Sequence, residues 1–474
     1  MSTIYYGKET LTRDYFLERL VTHPPSVIAV DVETISLKER QPLGFSIATA
    51  PNESFYFNTY PENEPEVEVV KTLLLRPDIK KVFHNATFDL KALALLFDTD
   101  RSNIADTNVM ARLLGRQFTK LVDLAPEIGR VAVPFNEMKI SSMLEASNEE
   151  RAKKCCNDSQ VTLGLYEKFL PDIDKDYFSV EMAVIPILID MSLRGLKVHQ
   201  ADRAALEAKT TAEMESYREM CAALDFNPGS PQQVGYILAK RGNFLKFTRS
   251  KKSLSTREGE LEFLDDPLAA VVLGYRHAKH QLSHYLTPLA KEDRIYTEYS
   301  LDVSVGRVSS SRRNMQNIPV ENRYIYVPDS GTFTTGDYSQ EHLRILMHKS
   351  GDRELERVYL EGYMDGDIHS FTARELGLPR GLAKTINYAI AYGATPKTIS
   401  EQAKIRDLKR CAGFLEQWFR LFRGAAEWIR GAQEEGVSSG WALPTLFNRR
   451  IKIPPVDEDG MKRRAVNYPI LGSD

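Results

Sequence analysis

Two acidic residues at alternate positions, Asp31 and Glu33, end the β-branched run Ser26-Val-Ile-Ala-Val-Asp-Val-Glu33. Residues two apart on a strand point to the same face, so these carboxylates can grip one divalent ion together. Far down the chain, Arg380-Gly-Leu-Ala-Lys384-Thr-Ile-Asn-Tyr388-Ala-Ile-Ala-Tyr392-Gly393 sets two cations and two aromatics every four residues. Its Ala, Leu and Ile content predicts a helix, on which Arg380, Lys384, Tyr388 and Tyr392 share one face. Cations pair phosphate oxygens and rings stack on bases, so the stripe suits a nucleoside triphosphate. Asp337, after the apolar-and-Thr run that starts at Thr332, reads as a carboxylate at a strand end, able to hold the magnesium that bridges such a triphosphate.

The elements that must position these groups follow from local pattern. Phe45-Ser-Ile-Ala-Thr and Ser54-Phe-Tyr-Phe read as further strands beside the one carrying Asp31. Lys81-Val-Phe-His-Asn-Ala-Thr-Phe-Asp89 predicts a short strand, an Asn-containing turn and a helix, and residues 101 to 114 and 157 to 166 read as helical. From Tyr177 an amphipathic helix runs to Gly195, and composition puts a domain boundary near 172 to 178. Leu343-Arg-Ile-Leu346 predicts a helix directly after Asp337.

The sequence Asp337-Tyr-Ser-Gln-Glu-His-Leu-Arg344, followed by the Arg380 to Gly393 run, resembles the two polymerase motifs of family A DNA polymerases, usually DYSQIELR and RxxxKxxx(F/Y)GxxYG. The resemblance implies a right-handed α+β polymerase domain with thumb about 200–295, palm about 296–345 and 440–474, and fingers about 346–439. It implies metal binding at Asp337, and triphosphate contacts from Lys384, Arg380 and His369, the last in Asp367-Ile-His369. Gly306-Arg307-Val-Ser-Ser and Asn314-Met-Gln-Asn-Ile-Pro319 are similar to the family's GRLSS and LQNIP, which places Arg307, Gln316 and Asn317 on primer and template. Arg463-Arg-Ala-Val-Asn467 resembles RxxxNxPIQGT and adds Arg463 and Asn467 to the DNA contacts, while Leu471 stands where glutamine is usual. His342 replaces the glutamate that blocks the ribose 2′-OH, and Tyr388 takes the Phe/Tyr position tied to dideoxynucleotide discrimination.

The first part of the chain is similar to the DEDD 3′→5′ exonucleases, whose motifs read DxE, HNxxFD and YxxxD. By that resemblance residues 1–175 form an α/β, ribonuclease H-like mixed sheet flanked by helices. Its ligands are Asp31, Glu33, Asp89 and Asp158, sufficient for two ions about 3.5–4 Å apart. The tyrosine expected four residues before Asp158 is Lys154, whose reach suits either a scissile phosphate or solvent. The implied cofactor is Mg²⁺, with Mn²⁺ as the alternative, and the implied partners are primer-template DNA and deoxynucleoside triphosphates.

Composition is that of a globular protein, with 42% hydrophobic and 27% charged residues, and the 474-residue length predicts two or three domains. The net charge of −3 neither announces nor opposes nucleic-acid binding, since a basic groove can sit beside acidic metal sites. Cys155, Cys156, Cys221 and Cys411 have no CxxC spacing, so neither zinc nor a disulfide framework is expected. No apolar stretch approaches 18 residues and the N-terminus lacks a signal core, so a cytoplasmic setting without membrane is expected, in a bacterial or phage-infected cell. Arg249-Ser-Lys-Lys-Ser-Leu-Ser-Thr-Arg257 reads either as a backbone-tracking loop or as a solvated charge run. The chain ends at Asp474, before the position of the family's HDE motif, and Asp457-Glu-Asp459 reads as a loop that does not replace it. The expectation is a split or truncated polymerase of phage type, with a second polypeptide supplying the last palm segment; the alternative is a stand-alone exonuclease with a non-catalytic primer-template binding remnant.

Overall fold

In the computed structural model, residues 13–36, 40–60, 67–132, 142–248, 250 and 253–473 are described. Helix α1 (Arg13–Thr22) leads into a mixed sheet of β1 (Val27–Thr34), β2 (Pro42–Ala50), β3 (Glu53–Asn58), β4 (Lys80–Phe83) and β5 (Ile104–Asp106), in the order β3-β2-β1-β4-β5. The pairs β1/β2 and β2/β3 are antiparallel; β1/β4 and β4/β5 are parallel. Ile28, Ala29, Val30 and Val32 are all buried, because both faces of β1 are covered. Helices α2 (Val67–Leu74), α3 (Ala86–Leu93), α4 (Thr107–Leu113) and α5 (Leu121–Leu124) flank the sheet. Helix α6 (Asn148–Phe169) starts with a capping box from Ser147 and Glu150. It is fastened to β2 by Ser46, whose hydroxyl donates to the Cys155 carbonyl at 2.7 Å and lies 2.8 Å from Ser159 Oγ.

The expected helix over 101–114 is shorter than its pattern. Ile104 and Ala105 are buried and hydrogen-bond in parallel register with Lys81 and Val82, so sheet pairing takes them and Asp106 becomes the cap of α4.

Helix α7 (Lys175–Arg194) is capped by Asp174 and ends at Gly195. That glycine has φ of +62°, and a Cβ there would stand 2.3 Å from the Ile295 carbonyl oxygen. Phe178, Met182, Ile185, Leu188 and Ile189 of α7 bury into the same core as the mixed sheet. Strand β6 (Leu196–Val198) then lies between β7 (Arg294–Ile295) and β10 (Tyr326–Val327). Helices α8 (Gln200–Ala222), α9 (Pro231–Lys240), α10 (Glu258–Leu261) and α11 (Pro267–Gln281) share a smaller core around Cys221, Phe226, Val234, Leu238, Leu268 and Val272. A hairpin of β8 (Glu298–Ser300) and β9 (Ser309–Ser311) follows.

The second large core is helical. Helices α12 (Glu341–Ser350), α13 (Arg353–Tyr359), α14 (Ile368–Leu376), α15 (Arg380–Ala391), α16 (Pro396–Ala403), α17 (Leu408–Leu421), α18 (Arg423–Ser439) and α19 (Glu458–Leu471) gather around Leu346, Phe371, Ile386, Ile390, Trp418, Phe422 and Ile429. The strand expected before Asp337 does not form. Residues 332–338 are exposed and irregular, and among the described residues no strand pairs with them, so the β-prone run gains no ladder hydrogen bonds. Glu458 and Asp459, expected in a loop, form the first turn of α19 behind its cap Asp457, where carboxylates favour the helix dipole. No described helix is long and apolar enough to cross a membrane.

Candidate functional site

Antiparallel register sets Asp31 opposite Ser46 and Glu33 opposite Gly44, on β1 at the centre of the mixed sheet. Asp89 comes from the first turn of α3, which starts after Asn85 in the left-handed region at φ of 95°. Asp106 holds that turn: its carboxylate accepts from the backbone N–H of Asn85 at 3.2 Å, Ala86 at 2.7 Å and Asn108 at 2.8 Å. Sequence reading gave Asp106 no role; its position just before a helix, where carboxylates cap, was the available signal. Asp158 comes from α6, one turn after Lys154.

These carboxylates crowd one another. Burial, with the charges of Asp158 and Glu33, pushes Asp31 well above the usual carboxylate range, against the pull of Lys154. Asp89 is raised well above it too, by burial and then by Asp31, Asp106 and Glu33. Glu33 is raised by burial and restrained by Lys154. One Asp31 oxygen, Oδ2, is buried with no hydrogen-bond partner among the described residues. Of the four expected ligands, Asp31 and Glu33 have ligand atoms within 4.8 Å of one another, together with Cys155, and Asp89 and Asp158 stand outside that group. Oxygen donors, mutual repulsion and an orphaned carboxylate oxygen together fit a hard divalent cation. Cys155 suits a ligand less well, since burial raises its thiol well above the ordinary range and its Sγ already donates to the Asp31 carbonyl at 3.3 Å.

Of the two directions open to Lys154, the side chain turns into the carboxylate cluster and not out to solvent. Its Nζ stands 2.7 Å from Glu33 Oε1 and 2.8 Å from Asp158 Oδ2, with the side chain 17% exposed. Spacing of four on α6 places Lys154 above Asp158, and α6 lies directly over β1, so the lysine extends into the cluster. Burial works against its charge, yet Glu33, Asp158 and Asp31 together hold the ammonium well above the usual lysine range.

The second set of residues assembles on α15. Ala383, Ile386, Asn387, Ala389 and Ile390 face the helical core, which turns Arg380, Lys384 and Tyr388 to the opposite side. Tyr392, at the C-cap, continues the stripe: its ring lies 6.2 Å from that of Tyr388, and its hydroxyl hydrogen-bonds His342 Nδ1 from α12. Burial and then the Asp337 charge raise the Tyr388 hydroxyl, so the exposed Asp337 carboxylate acts on this same face. Arg380 forks onto Asp367 at 2.8 and 3.2 Å, and its hydrogen bonds hold the Asp367 carboxyl well below the usual range.

His369 is 2% exposed and its ring packs 5.5 Å from that of Tyr388. Burial lowers it to about 4, so it is neutral near pH 7. Its tautomer is set by Asn387, a residue missed in the sequence. Asn387 Oδ1 accepts from Trp418 Nε1 at 2.8 Å and Thr372 Oγ1 at 3.1 Å, which leaves its Nδ2 to donate to His369 Nδ1 at 3.1 Å. The His369 proton therefore sits on Nε2, a buried donor with no partner among the described residues.

Arg307 is exposed, while Gln316 is tied back to the β8–β9 hairpin through the Val308 carbonyl at 2.9 Å and Ser310 Oγ at 3.2 Å. Asn317 is exposed, with its carbonyl held by the Tyr285 hydroxyl at 3.0 Å. Arg463 and Asn467 lie on α19, against the end of α15: at Gly393, with φ of +72°, a Cβ would meet Val466 Cβ at 3.2 Å and Arg463 Cα at 3.3 Å. Arg249, Lys251 and Lys252 of the basic loop lie outside the described residues; Arg257, Arg276, Lys279, His280 and His284 line a cleft of about 540 Å³. Arg449, given no role in the sequence reading, is buried in an ion pair with Glu181 of α7.

Comparison with known proteins places this geometry. The family described as DNA polymerase family A matches residues 197–474, and the family described as 3′-5′ exonuclease matches residues 8–174. The chain is 30% identical to DNA polymerase I of Chloroflexus aurantiacus, over 94% of this chain and 53% of that protein. It is 30% identical to the thermostable DNA polymerase I of Thermus filiformis, over 69% and 43%, and 26% identical to DNA polymerase I of Pseudomonas aeruginosa, over 97% and 56%. Its fold is shared with the POL domain of Pol1 from M. smegmatis, solved in complex with DNA primer-template and dNTP, at a TM-score of 0.80 and 23% identity, over 98% of this chain and 86% of that one. The chain spans about half the length of the curated relatives it matches.

Proposed function

The chain belongs to DNA polymerase family A with a 3′–5′ exonuclease domain, and from that premise we propose that it is a DNA-directed DNA polymerase with proofreading 3′→5′ exonuclease activity, acting in the cytoplasm. The observation that carries the reading is the α15 face, where Arg380, Lys384, His369, Tyr388 and Tyr392 combine cationic, neutral-donor and aromatic groups beside Asp337. Lys384 and Arg380 pair the phosphate oxygens of a deoxynucleoside triphosphate, and His369 Nε2–H is oriented as a neutral donor to them. Tyr388 and Tyr392 stack against base and sugar, and His342, held by Tyr392, fills the space beside the ribose. Primer-template DNA runs past the basic cleft of residues 257–284 and the positions Arg307, Gln316, Asn317, Arg463 and Asn467.

Asp337 on one side, and Asp31, Glu33, Asp89 and Asp158 on the other, are hard oxygen donors suited to Mg²⁺, with Mn²⁺ as a substitute. Such ions supply activation of the attacking oxygen and charge stabilisation of the phosphorus centre in both reactions. The residues of the chain orient the reactants: the α15 face sets the triphosphate for attack by a primer 3′-OH, and the carboxylate cluster receives a 3′ terminus for hydrolysis.

The test uses two substitutions and two readouts on the full chain. Lys384→Ala is expected to weaken dNTP-dependent retention of a labelled primer-template by about tenfold or more, the loss of about 1.4 kcal/mol or more of charge-assisted bonding, while digestion of single-stranded DNA continues. Asp31→Ala is expected to abolish metal-dependent digestion while primer-template binding stays intact. Unchanged dNTP dependence in the first, or unchanged digestion in the second, overturns the corresponding assignment.

A further inference from the structure

The carboxylate cluster already contains a cation. Asp31, Glu33, Asp89 and Asp158 are neighbouring carboxyl groups, and the Lys154 ammonium is inserted between two of them, donating to Glu33 Oε1 at 2.7 Å and Asp158 Oδ2 at 2.8 Å. It is held there from both ends. Its helix is anchored to the sheet by Ser46, and its neighbours Ala152, Cys155 and Cys156 are buried. The unsatisfied side of the cluster is elsewhere, at Asp31, whose Oδ2 is buried without a partner among the described residues.

Position decides what the site can take. The Lys154 ammonium already engages the Glu33 and Asp158 oxygens that an ion seated between them would use, and such an ion would stand against it. Like charges at such separations in a partly buried site repel strongly. We propose that Lys154 is a built-in cation that takes the place of one of two divalent ions, between Glu33 and Asp158, so that the cluster binds a single divalent ion on its Asp31 side. Lys154 is then a positioning residue: it fixes Glu33 and Asp158 and sets the metal stoichiometry. The inference rests on the metal-dependent exonuclease reading of this cluster.

Mn²⁺ binding separates the two claims. The full chain is titrated with Mn²⁺ alone, free ion being read from its electron paramagnetic resonance signal, in an Asp337→Asn background that removes the other candidate metal ligand. Lys154→Met is expected to bind one more Mn²⁺ per chain than its parent, or to bind the cluster about tenfold or more tighter, whereas Lys154→Arg, which keeps the charge, matches the parent. Lys154→Gln is the second neutral variant, used where the methionine variant fails to fold. Asp31→Asn is expected to lose the single ion. Equal Mn²⁺ number and affinity in the parent and the neutral variants, with Asp31→Asn still losing an ion, overturns the Lys154 proposal alone. No change in Asp31→Asn removes the metal reading of the cluster, and the Lys154 proposal with it.

Discussion

Arg449 fastens the last part of the chain to α7, and its removal is a quantitative test of how the two cores are joined. The side chain is 2% exposed, and it meets Glu181, itself 6% exposed, together with the Tyr177 hydroxyl at 3.2 Å and the Ser304 carbonyl at 3.4 Å. Its fit is tight as well, since a Cβ on Gly306, at φ of +85°, would stand 2.3 Å from Arg449 Nη1. Arg449→Met keeps the stem but leaves the Glu181 carboxylate buried with its main partner gone. Breaking one side of a buried pair costs about 3–5 kcal/mol, because the other charge remains desolvated and uncompensated. Arg449→Met/Glu181→Leu removes both charges and is expected to recover most of that loss, since apolar replacement of a whole buried pair is often neutral. Urea unfolding read by tryptophan fluorescence suits the purpose, as Trp441 stands 4.8 Å from the guanidinium carbon of the adjacent Arg450. A single variant within about 1 kcal/mol of the parent, the range of an exposed pair, or a double variant no better than the single, would refute this account.

Two further outcomes follow from local chemistry. On the proposed placement of Tyr388 at the sugar side of the nucleotide, its hydroxyl would substitute for a missing 3′-OH, so Tyr388→Phe is expected to lower the ratio of dideoxy- to deoxynucleotide use; an unchanged ratio would mean that α15 presents a different face. Asp266 caps α11 and is held down to about 2, first by the Arg241 hydrogen bonds at 2.8 and 3.0 Å. A carboxyl depressed in the folded state stabilises above its unfolded value and loses that contribution as pH falls through the folded one, so the window is between about 4 and about 2. Asp266→Asn should flatten the melting temperature across that window, and a slope equal to the parent's would count against the pairing.

Much of the site was legible because its groups are set by local periodicity. Alternation on β1 was enough to put Asp31 and Glu33 on one face, and intervals of four were enough to align Arg380, Lys384 and Tyr388 on α15, since backbone hydrogen bonding alone enforces both periods. One helix end was readable too, since Gly195 stops α7 where the chain needs positive φ, whereas the capping box of Ser147 and Glu150 starts α6 ahead of the 157 to 166 stretch that reads as helical. The strand before Asp337 was misread for a complementary reason. A strand is stable only with a neighbour, and residues 332–338 have none among the described residues, whatever their β propensity.

By itself, then, the sequence determined the types of the reacting groups, the elements that carry them and the family they resemble. The tertiary structure alone decided which way the long side chains go. Lys154 could reach phosphate or solvent from its helix, and turns inward because α6 packs over β1 and sets three carboxylates around its ammonium. His369 could carry its proton on either nitrogen, and carries it on Nε2 because Trp418, 31 residues beyond Asn387, donates to the Asn387 carbonyl. Arg449 carries no role in the sequence, and becomes a buried strut only where Glu181 meets it, 268 residues away. Charge and hydrogen-bond partners are supplied by packing, and packing brings together residues that no local period connects.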